Sequence, residues 1–358
     1  MGGTLPVALD ALGTDQAPDV EIEGAVAAVR ERGARVVLVG DEARLRAALR
    51  AAGASTLGIE VRHAGQVVSM HDQPSVVVRK KTDSSMRVCF DLVKRGEAAA
   101  VVSAGHSGAM LACGLFVLKR LPKVERPAIV TTFPTPVGPC ALLDMGANVE
   151  CKPRALAQFA VLGAVYARLL HRKPRPRVGL LANGSEDHKG TELTRESHHL
   201  LERVKTLPGG ADFDYVGYVE GRDIFAGVDV VVTDGFTGNV VLKTVEGTAF
   251  AVFDLLRREI DRSRRAQAGA LLLKPVFKNL KALLDYAEYG GAPLVGVDGV
   301  AMVCHGSSNA KAIKNAIFAA ERFVAAGLKP QLEQAIEKHR PVWEAAVPSA
   351  ATGSEVER

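Results

Sequence analysis

Aromatic residues make up only 5% of the 358 positions, and they are not interleaved with the basic ones, which argues against stacking on nucleic-acid bases. Cysteine is scarce: Cys89, Cys113, Cys140, Cys151 and Cys304 are scattered, odd in number and never in a CxxC pair. That pattern supports neither a disulfide framework nor a zinc site and leaves the five as small core residues. Nine histidines include the adjacent His198 and His199, but neighbours on a helix diverge and no HExxH is present, so no metal is assigned. No GxSxG elbow, Walker lysine motif or GxGxxG after a strand occurs, which disfavours a covalent hydrolase or a nucleotide hydrolase. No apolar run reaches membrane-spanning length, and the start MGGTLPVALDALGTD lacks a basic segment ahead of a long apolar one. A cytoplasmic location is expected.

What is present is 47% apolar residues, enough to bury a large core. Short β-branched runs (PVALD, ARVVLVG, IEVRHAG, AAAVVSAG, AIVTTF, CALLDMG, RVGLLANG, DYVGYVEG, DVVVTDG) alternate with helix-length segments such as EIEGAVAAVRERG and RALAQFAVLGAVYARLLH. The runs are apolar almost without interruption, which predicts strands buried on both faces in a mostly parallel sheet. AIVTTF and CALLDMG are separated only by PTPVGP, too short for a crossover helix, so a hairpin that makes the sheet mixed is expected. One α/β domain over 1–347 follows, with a flexible tail at 348–358.

Open α/β proteins bind ligands at the carboxyl ends of their strands. The most informative such end here is DGFTGN, residues 234–239, between DVVVT and the amphipathic VVLKTVEGTAFAVFDLL. A strand, a glycine turn and a helix start together aim unpaired backbone N–H groups and a positive dipole end at one point, which an anion satisfies. LDALGTD, SAGHSGA (103–109), LDMGANV (143–149) and NGSEDHKG (183–190) repeat the theme. In SAGHSGA, Gly105 and Gly108 allow close backbone approach, and Ser107 either caps the next helix or binds an anion. Lys189, after Gly184, Glu186 and Asp187, stands at a helix entry where a cation is unfavourable unless an anion arrives. Lys243 either neutralises the same anion or pairs with Glu246. Asp10, Asp144 and Asp234 recur at strand ends, where such residues often bond turn amides.

The net charge of +5 is modest, but basic residues cluster at Arg79, Lys80 and Lys81, in HRKPRPR and in RREIDRSRR, which locally favours acidic partners. After Leu256 the alternation stops, and RREIDRSRRAQAGALLLKPVFKNLKALLDYAEYGG predicts a protruding helical hairpin over about 257–290. Leu271, Leu272, Leu273, Val276 and Phe277 are flanked there by Arg264, Arg265, Lys274, Lys278 and Lys281. The group suits either an anionic membrane surface or a protein contact such as a dimer interface.

These motifs in this order resemble the phosphate acyltransferase family of bacterial phospholipid synthesis, which transfers a fatty acyl group from acyl carrier protein to inorganic phosphate. The resemblance spans nearly the whole chain through LDALGTDQAP, RKKTDSSM, SAGHSGA, LLDMGANVECKP, KGTELT, VEGRDIF, TDGFTGNVVLKTVEG, YGGAPLVGVDG and CHGSS. It implies a Rossmann-like three-layer α/β/α sandwich related to phosphotransacetylase and isopropylmalate dehydrogenase, a homodimer, no metal or cofactor, and peripheral membrane association. Together with the turns it points to Lys189 and Asn239 as catalytic. Substrate contacts are expected at Asp10, Lys80, Lys81, Ser84, Gly105, His106, Ser107, Gly108, Asp144, Gly146, Asn148, Gly184, Glu186, Gly190, Asp234, Gly235, Thr237, Gly238, Lys243, His305, Ser307 and Ser308. Departures stand at His106 and Ser107, where the family commonly has Asn-Thr, at Thr14 for a usual Gly, and at Ala182-Asn183 for an Asn-apolar pair.

The chemistry suits these residues, because phosphate is already anionic near neutral pH and a thiolate leaves readily. No strong general base is needed, only alignment of two reactants and stabilisation of a tetrahedral oxyanion. Competing readings are phosphate acyl transfer with coenzyme A thioesters, metal-assisted oxidative decarboxylation of a hydroxy acid, and a non-catalytic carrier-protein or membrane scaffold. The missing nucleotide fingerprint weakens the decarboxylation.

Overall fold

A computed structural model describes residues 5–186, 188–208, 210–284 and 290–344, apart from the side chains of 279 and 281–284. The expected tail at 348–358, Asp187 and the stretch 285–289 of the expected protrusion lie outside the described residues. Among the described residues twelve strands form two sheets: β1 Val7–Asp10, β2 Val36–Gly40, β3 Glu60–His63, β4 Ala100–Ser103, β5 Ala128–Ile129, β6 Thr131–Phe133, β7 Cys140–Leu143, β8 Arg177–Leu181, β9 Asp214–Val219, β10 Val230–Val232, β11 Ala292–Val295 and β12 Ala301–Val303. The larger sheet runs β3-β2-β1-β4-β12-β11-β5 and the smaller β6-β7-β10-β8-β9. The chain passes between them through Val130, which separates β5 from β6.

Pairing is parallel except where β11 meets β12 and β5, and where β6 meets β7 in the hairpin expected from the short PTPVGP link. Alternate residues of each buried strand enter two separate cores. Val7 and Leu9 of β1, and Val230 and Val232 of β10, pack on one side; Ala8 and Val231 pack on the other. This period-2 division, with both faces covered by helices, makes three layers and accounts for the unbroken apolarity of the strand segments. Edge strand β3 is the exception, with mostly exposed residues. Helix Pro153–Leu170 buries every residue from Ala155 through Ala167, consistent with its being apolar all round.

The protrusion differs from the expected hairpin starting at 257. Helix Gly235–Asp261 runs unbroken for 27 residues, and Ser263 then caps helix Arg264–Leu272, which precedes helix Lys274–Leu284. Nothing breaks the helix at 257, where Arg258–Asp254 at 2.7 Å and Arg257–Asp261 at 3.9 Å sit at i,i+4 spacing along its surface. Only Gly235 and Gly238 of this helix are buried, so it leaves the body after its first turn. Leu271, Leu272, Leu273 and Val276 are exposed, Leu272 by 83%, and Phe277 is half-buried. Among the described residues no helix is long and apolar enough to cross a membrane.

One ionisable group sits inside the first βα unit. Glu21, on helix Asp19–Arg32, is fully buried and accepts the Thr14 N–H at 2.7 Å. Burial pushes its carboxyl from 4.5 up to about 7, with the Thr14 amide opposing and the Asp10 charge adding slightly. The folded chain therefore keeps a proton that the unfolded chain releases, and stability falls as pH rises from about 4.5 to about 7. The full penalty, on the order of 3 kcal/mol, is present above that window. Glu21→Gln keeps an acceptor for Thr14 and is expected to raise the unfolding midpoint clearly at pH 8 and much less at pH 5. Thermal unfolding at both values checks this, and equal shifts would contradict it.

Candidate functional site

Strand order brings two groups of turns together. The first follows β1, β4 and β12, which are parallel neighbours. Asp10 is buried, and its carboxylate accepts Ser103 Oγ at 2.7 Å and Leu12 N at 3.2 Å; burial raises its pKa, while hydrogen bonds from Ser85 and Ser103 oppose the rise. Ser103 Oγ in turn accepts Gly105 N at 3.1 Å. A Cβ on Gly13 would lie 2.8 Å from the Gly105 nitrogen, so the two turns touch backbone to backbone, and Asp15 N reaches Gly306 O at 3.0 Å. Ser307 Oγ is 2.7 Å from His305 Nδ1. Ser308 is 4% exposed with no partner for its Oγ among the described residues, and it lines a small cleft of about 160 Å³ with Asp15, Gln16, Ser307 and Asn309.

The second group follows β7, β10 and β8, with β10 between the other two and all three parallel. Asp144 is fully buried; its Oδ1 accepts Ile129 N and Ala147 N, and its Oδ2 accepts Asn148 N and Asn148 Nδ2, at 2.6–3.1 Å. Burial raises its pKa against these hydrogen bonds. Asn239 lies against Gly146, where a Cβ would be 3.7 Å from that of Asn239. On the β8 side, the Lys189 stem packs over Gly184, and Gly190, with φ of +84°, donates to Asn183 Oδ1 at 2.9 Å. Lys189 makes no ion pair among the described residues. Its turn and the turn of Asn239 thus end adjacent strands.

Several expectations change. His106, not Ser107, caps helix Ser107–Cys113, its Nδ1 accepting Ala109 N at 3.1 Å, because the helix begins one residue earlier than a Ser107 cap requires. Ser84 is fully buried and caps helix Ser85–Lys94. Lys81 is held by Asp72 at 2.6 Å and Val67 O at 2.8 Å, while Lys80 beside it is exposed. Lys243 pairs with Glu246 at 2.8 Å, two helical turns into a helix that leads away from the turn. The amides of DGFTGN are not all free: Gly235 N donates to Asn148 O and Thr237 N to Asp234 Oδ1, which shifts anion binding toward side chains. The sequence reading missed Ser103 and Asn183, which hold the turns at Gly105 and Gly190; each is a polar residue at or just past a strand end. Burial pushes the Cys113, Cys140, Cys151 and Cys304 thiols up to about 12 and raises Cys89 well above its ordinary value, so none is a thiolate near neutral pH.

A cleft of about 980 Å³ is lined by 119–121, 123–125, 152–154, Glu196, His199, Leu200, Arg203 and Trp343, and by none of the expected site residues.

Gly238 shows how tightly the second group is built, since a Cβ there would overlap the Asp144 carbonyl oxygen. Gly238→Ala is expected to cost about 3 kcal/mol through forced backbone displacement. Gly247→Ala, in open space on the same helix, is expected to gain about 0.5–1 kcal/mol. Urea unfolding of the two variants checks the contrast, and a neutral Gly238→Ala would show that the turn is loose.

Residues 5–330 match the family model described as fatty acid synthesis protein. The chain is 55% identical over 332 residues to a phosphate acyltransferase of Geobacter sulfurreducens, covering 92% of this chain and 94% of that one. It is 54% identical over 338 residues to a phosphate acyltransferase of Geotalea uraniireducens, covering 94% and 96%. Among solved structures, a phosphotransacetylase from Staphylococcus aureus superposes with a TM-score of 0.57 at 16% identity, covering 89% of this chain and 94% of that one. A phosphotransacetylase from Streptococcus pyogenes gives 0.55 at 18%, covering 93% and 94%. At such identities these structures speak to the fold alone.

Proposed function

Because this chain belongs to the phosphate acyltransferase family, we propose that it moves a fatty acyl group from the thioester of acyl carrier protein to inorganic phosphate, with the chemistry at the turns after β7, β10 and β8. The observation that carries the assignment of place is the pairing of β10 with β8 and β7, which sets the turn of Asn239 between those of Lys189 and Asp144. A phosphate oxygen attacks the thioester carbonyl carbon, the carbonyl becomes a tetrahedral oxyanion, and its collapse expels the carrier thiolate, leaving acyl phosphate. Phosphate brings its own nucleophilic oxygen, and the five thiols are held protonated by burial, so no enzyme-bound acyl intermediate on cysteine is required.

The residues divide the work by position. Lys189, without an ion-pair partner among the described residues, supplies charge to phosphate and to the developing oxyanion, and the Asn239 amide donates to that oxyanion. Asp144 and Asn148 are buried and act by holding the turn, not by touching substrate. Gly146, Gly184 and Gly190 keep the surface open to the reactants, and the first group, from Asp10 through Gly105 and His106 to Ser307 and Ser308, provides further substrate contacts. The exposed leucines at 271–273 with Arg264, Arg265 and Lys278 seat the protein on the anionic inner face of the cell membrane, a surface that also suits a second copy of the chain.

Lys189→Ala is expected to unfold at the parent midpoint while acyl phosphate formation from acyl carrier protein thioester falls about a hundredfold or more. A turnover rate equal to the parent's would remove Lys189 from the chemistry. Supplying coenzyme A thioester in parallel separates the donors. Charge reversal at Arg264, Arg265 and Lys278 combined with Leu272→Asp is expected to abolish sedimentation with anionic vesicles. Unchanged sedimentation, with a lower mass in ultracentrifugation, would reassign this surface to self-association.

A further inference from the structure

The 980 Å³ cleft has its own chemistry, separate from the strand-end turns. Lys119, Arg120, Lys123, Lys152, Arg154 and Arg203 line it against only two acids, Glu125 and Glu196. Lys123 is occupied by Glu337 at 2.6 Å, and Arg154 stands at 3.8 Å from Glu125 and 4.0 Å from Glu344. Lys119 and Lys152 are exposed and form no ion pair among the described residues. Beneath this charge the lining is apolar, with Leu121 and Val124 buried and Leu200 half-buried. Trp343, 7% exposed, completes it, and its Nε1 donor finds no acceptor among the described residues. A charged rim over an apolar centre containing tryptophan is the anatomy of a protein interface.

Its position relates it to the second group of turns. Lys152 follows the 144–148 turn by four residues and opens helix Pro153–Leu170 as its N-cap. Glu196 and His199 lie on helix Glu192–Glu202, which starts just after Lys189 and Gly190. Lys189 stands three residues ahead of the first helical residue, Glu192, and Glu196 lies about one turn inside that helix. Two walls of the cleft thus follow closely in the chain on the turns of Asp144 and Lys189, and its volume is far larger than inorganic phosphate needs.

We propose that this cleft docks the acidic surface of acyl carrier protein, with Lys119 and Lys152 as its main charge contacts, so that the thioester arm passes to the turns after β8 and β10. The inference rests on the carrier-dependent reading above and assigns the partner a surface. Charge complementarity selects an acidic protein over an anionic small molecule, because the cations ring the opening while apolar side chains form the base.

The test measures anisotropy of fluorescently labelled hexadecanoyl carrier protein with the parent and with Lys119→Glu/Lys152→Glu, at low and moderate salt. The double variant is expected to weaken binding about tenfold at low salt, with the gap closing as salt rises, and to unfold at the parent midpoint. The preference for carrier over pantetheine thioester in acyl phosphate formation is expected to drop by a similar factor. Parent-like carrier affinity would overturn the docking site, as would binding lost instead in Arg79→Glu/Lys80→Glu. So would a change of self-association in place of a change in carrier binding, which would make the cleft a face between copies. If the parent binds carrier through the cleft but makes no acyl phosphate, the reaction fails and the docking site stands.

Discussion

One buried carboxylate sets the geometry on which the second group of turns depends. Asp144 closes the turn after β7 by accepting its own Ala147 and Asn148 amides, and it reaches across to Ile129 N in β5, a strand of the other sheet. Asn148, oriented by Asp144, returns a hydrogen bond from its Nδ2 to Pro127 O and accepts Gly235 N at the head of the long helix. Two sheets and the strand ends of β7 and β10 thus share one set of hydrogen bonds. Removing the carboxylate would strand several buried donors together, each costly by itself.

This arrangement uses up donors that a helix start would otherwise offer to a ligand. With the Gly235 and Thr237 amides already satisfied, the anion recognition proposed above falls to side chains, above all Lys189 and Asn239. The glycines serve the same end from the other side. Gly238 lets the helix approach the Asp144 carbonyl, and Gly184 lets the Lys189 stem lie flat over its turn. Rigid backbone and adaptable side chains are a reasonable division for a reaction that needs alignment more than acid–base chemistry.

Around this centre the chain displays two surfaces of different character. The protruding helices carry leucines that are exposed by half or more among cationic side chains, while the large cleft keeps its apolar residues covered beneath a cationic rim. The first resembles a surface that meets a lipid headgroup layer; the second suits a folded partner with its own shape. Both are basic, which is how a net charge of only +5 still presents strong local fields.

Local chemistry in the sequence was enough to mark most strands, the β6–β7 hairpin and the strand-end turns, because apolar periodicity and turn residues act over a few positions, but it did not mark β11 and β12 or the division of AIVTTF between two sheets. It also carried the family, through motifs such as DGFTGN and KGTELT. Only the tertiary structure decided that Asp144 bonds across to Ile129, that Lys189 and Asn239 end neighbouring strands, and that His106 takes the cap from Ser107. Strand order, crossing contacts and the start of a helix depend on residues far apart in the chain. The cleft lay beyond sequence reading for the same reason: its walls come from 119–121, 123–125, 152–154, Glu196, His199, Leu200, Arg203 and Trp343, which no local pattern joins.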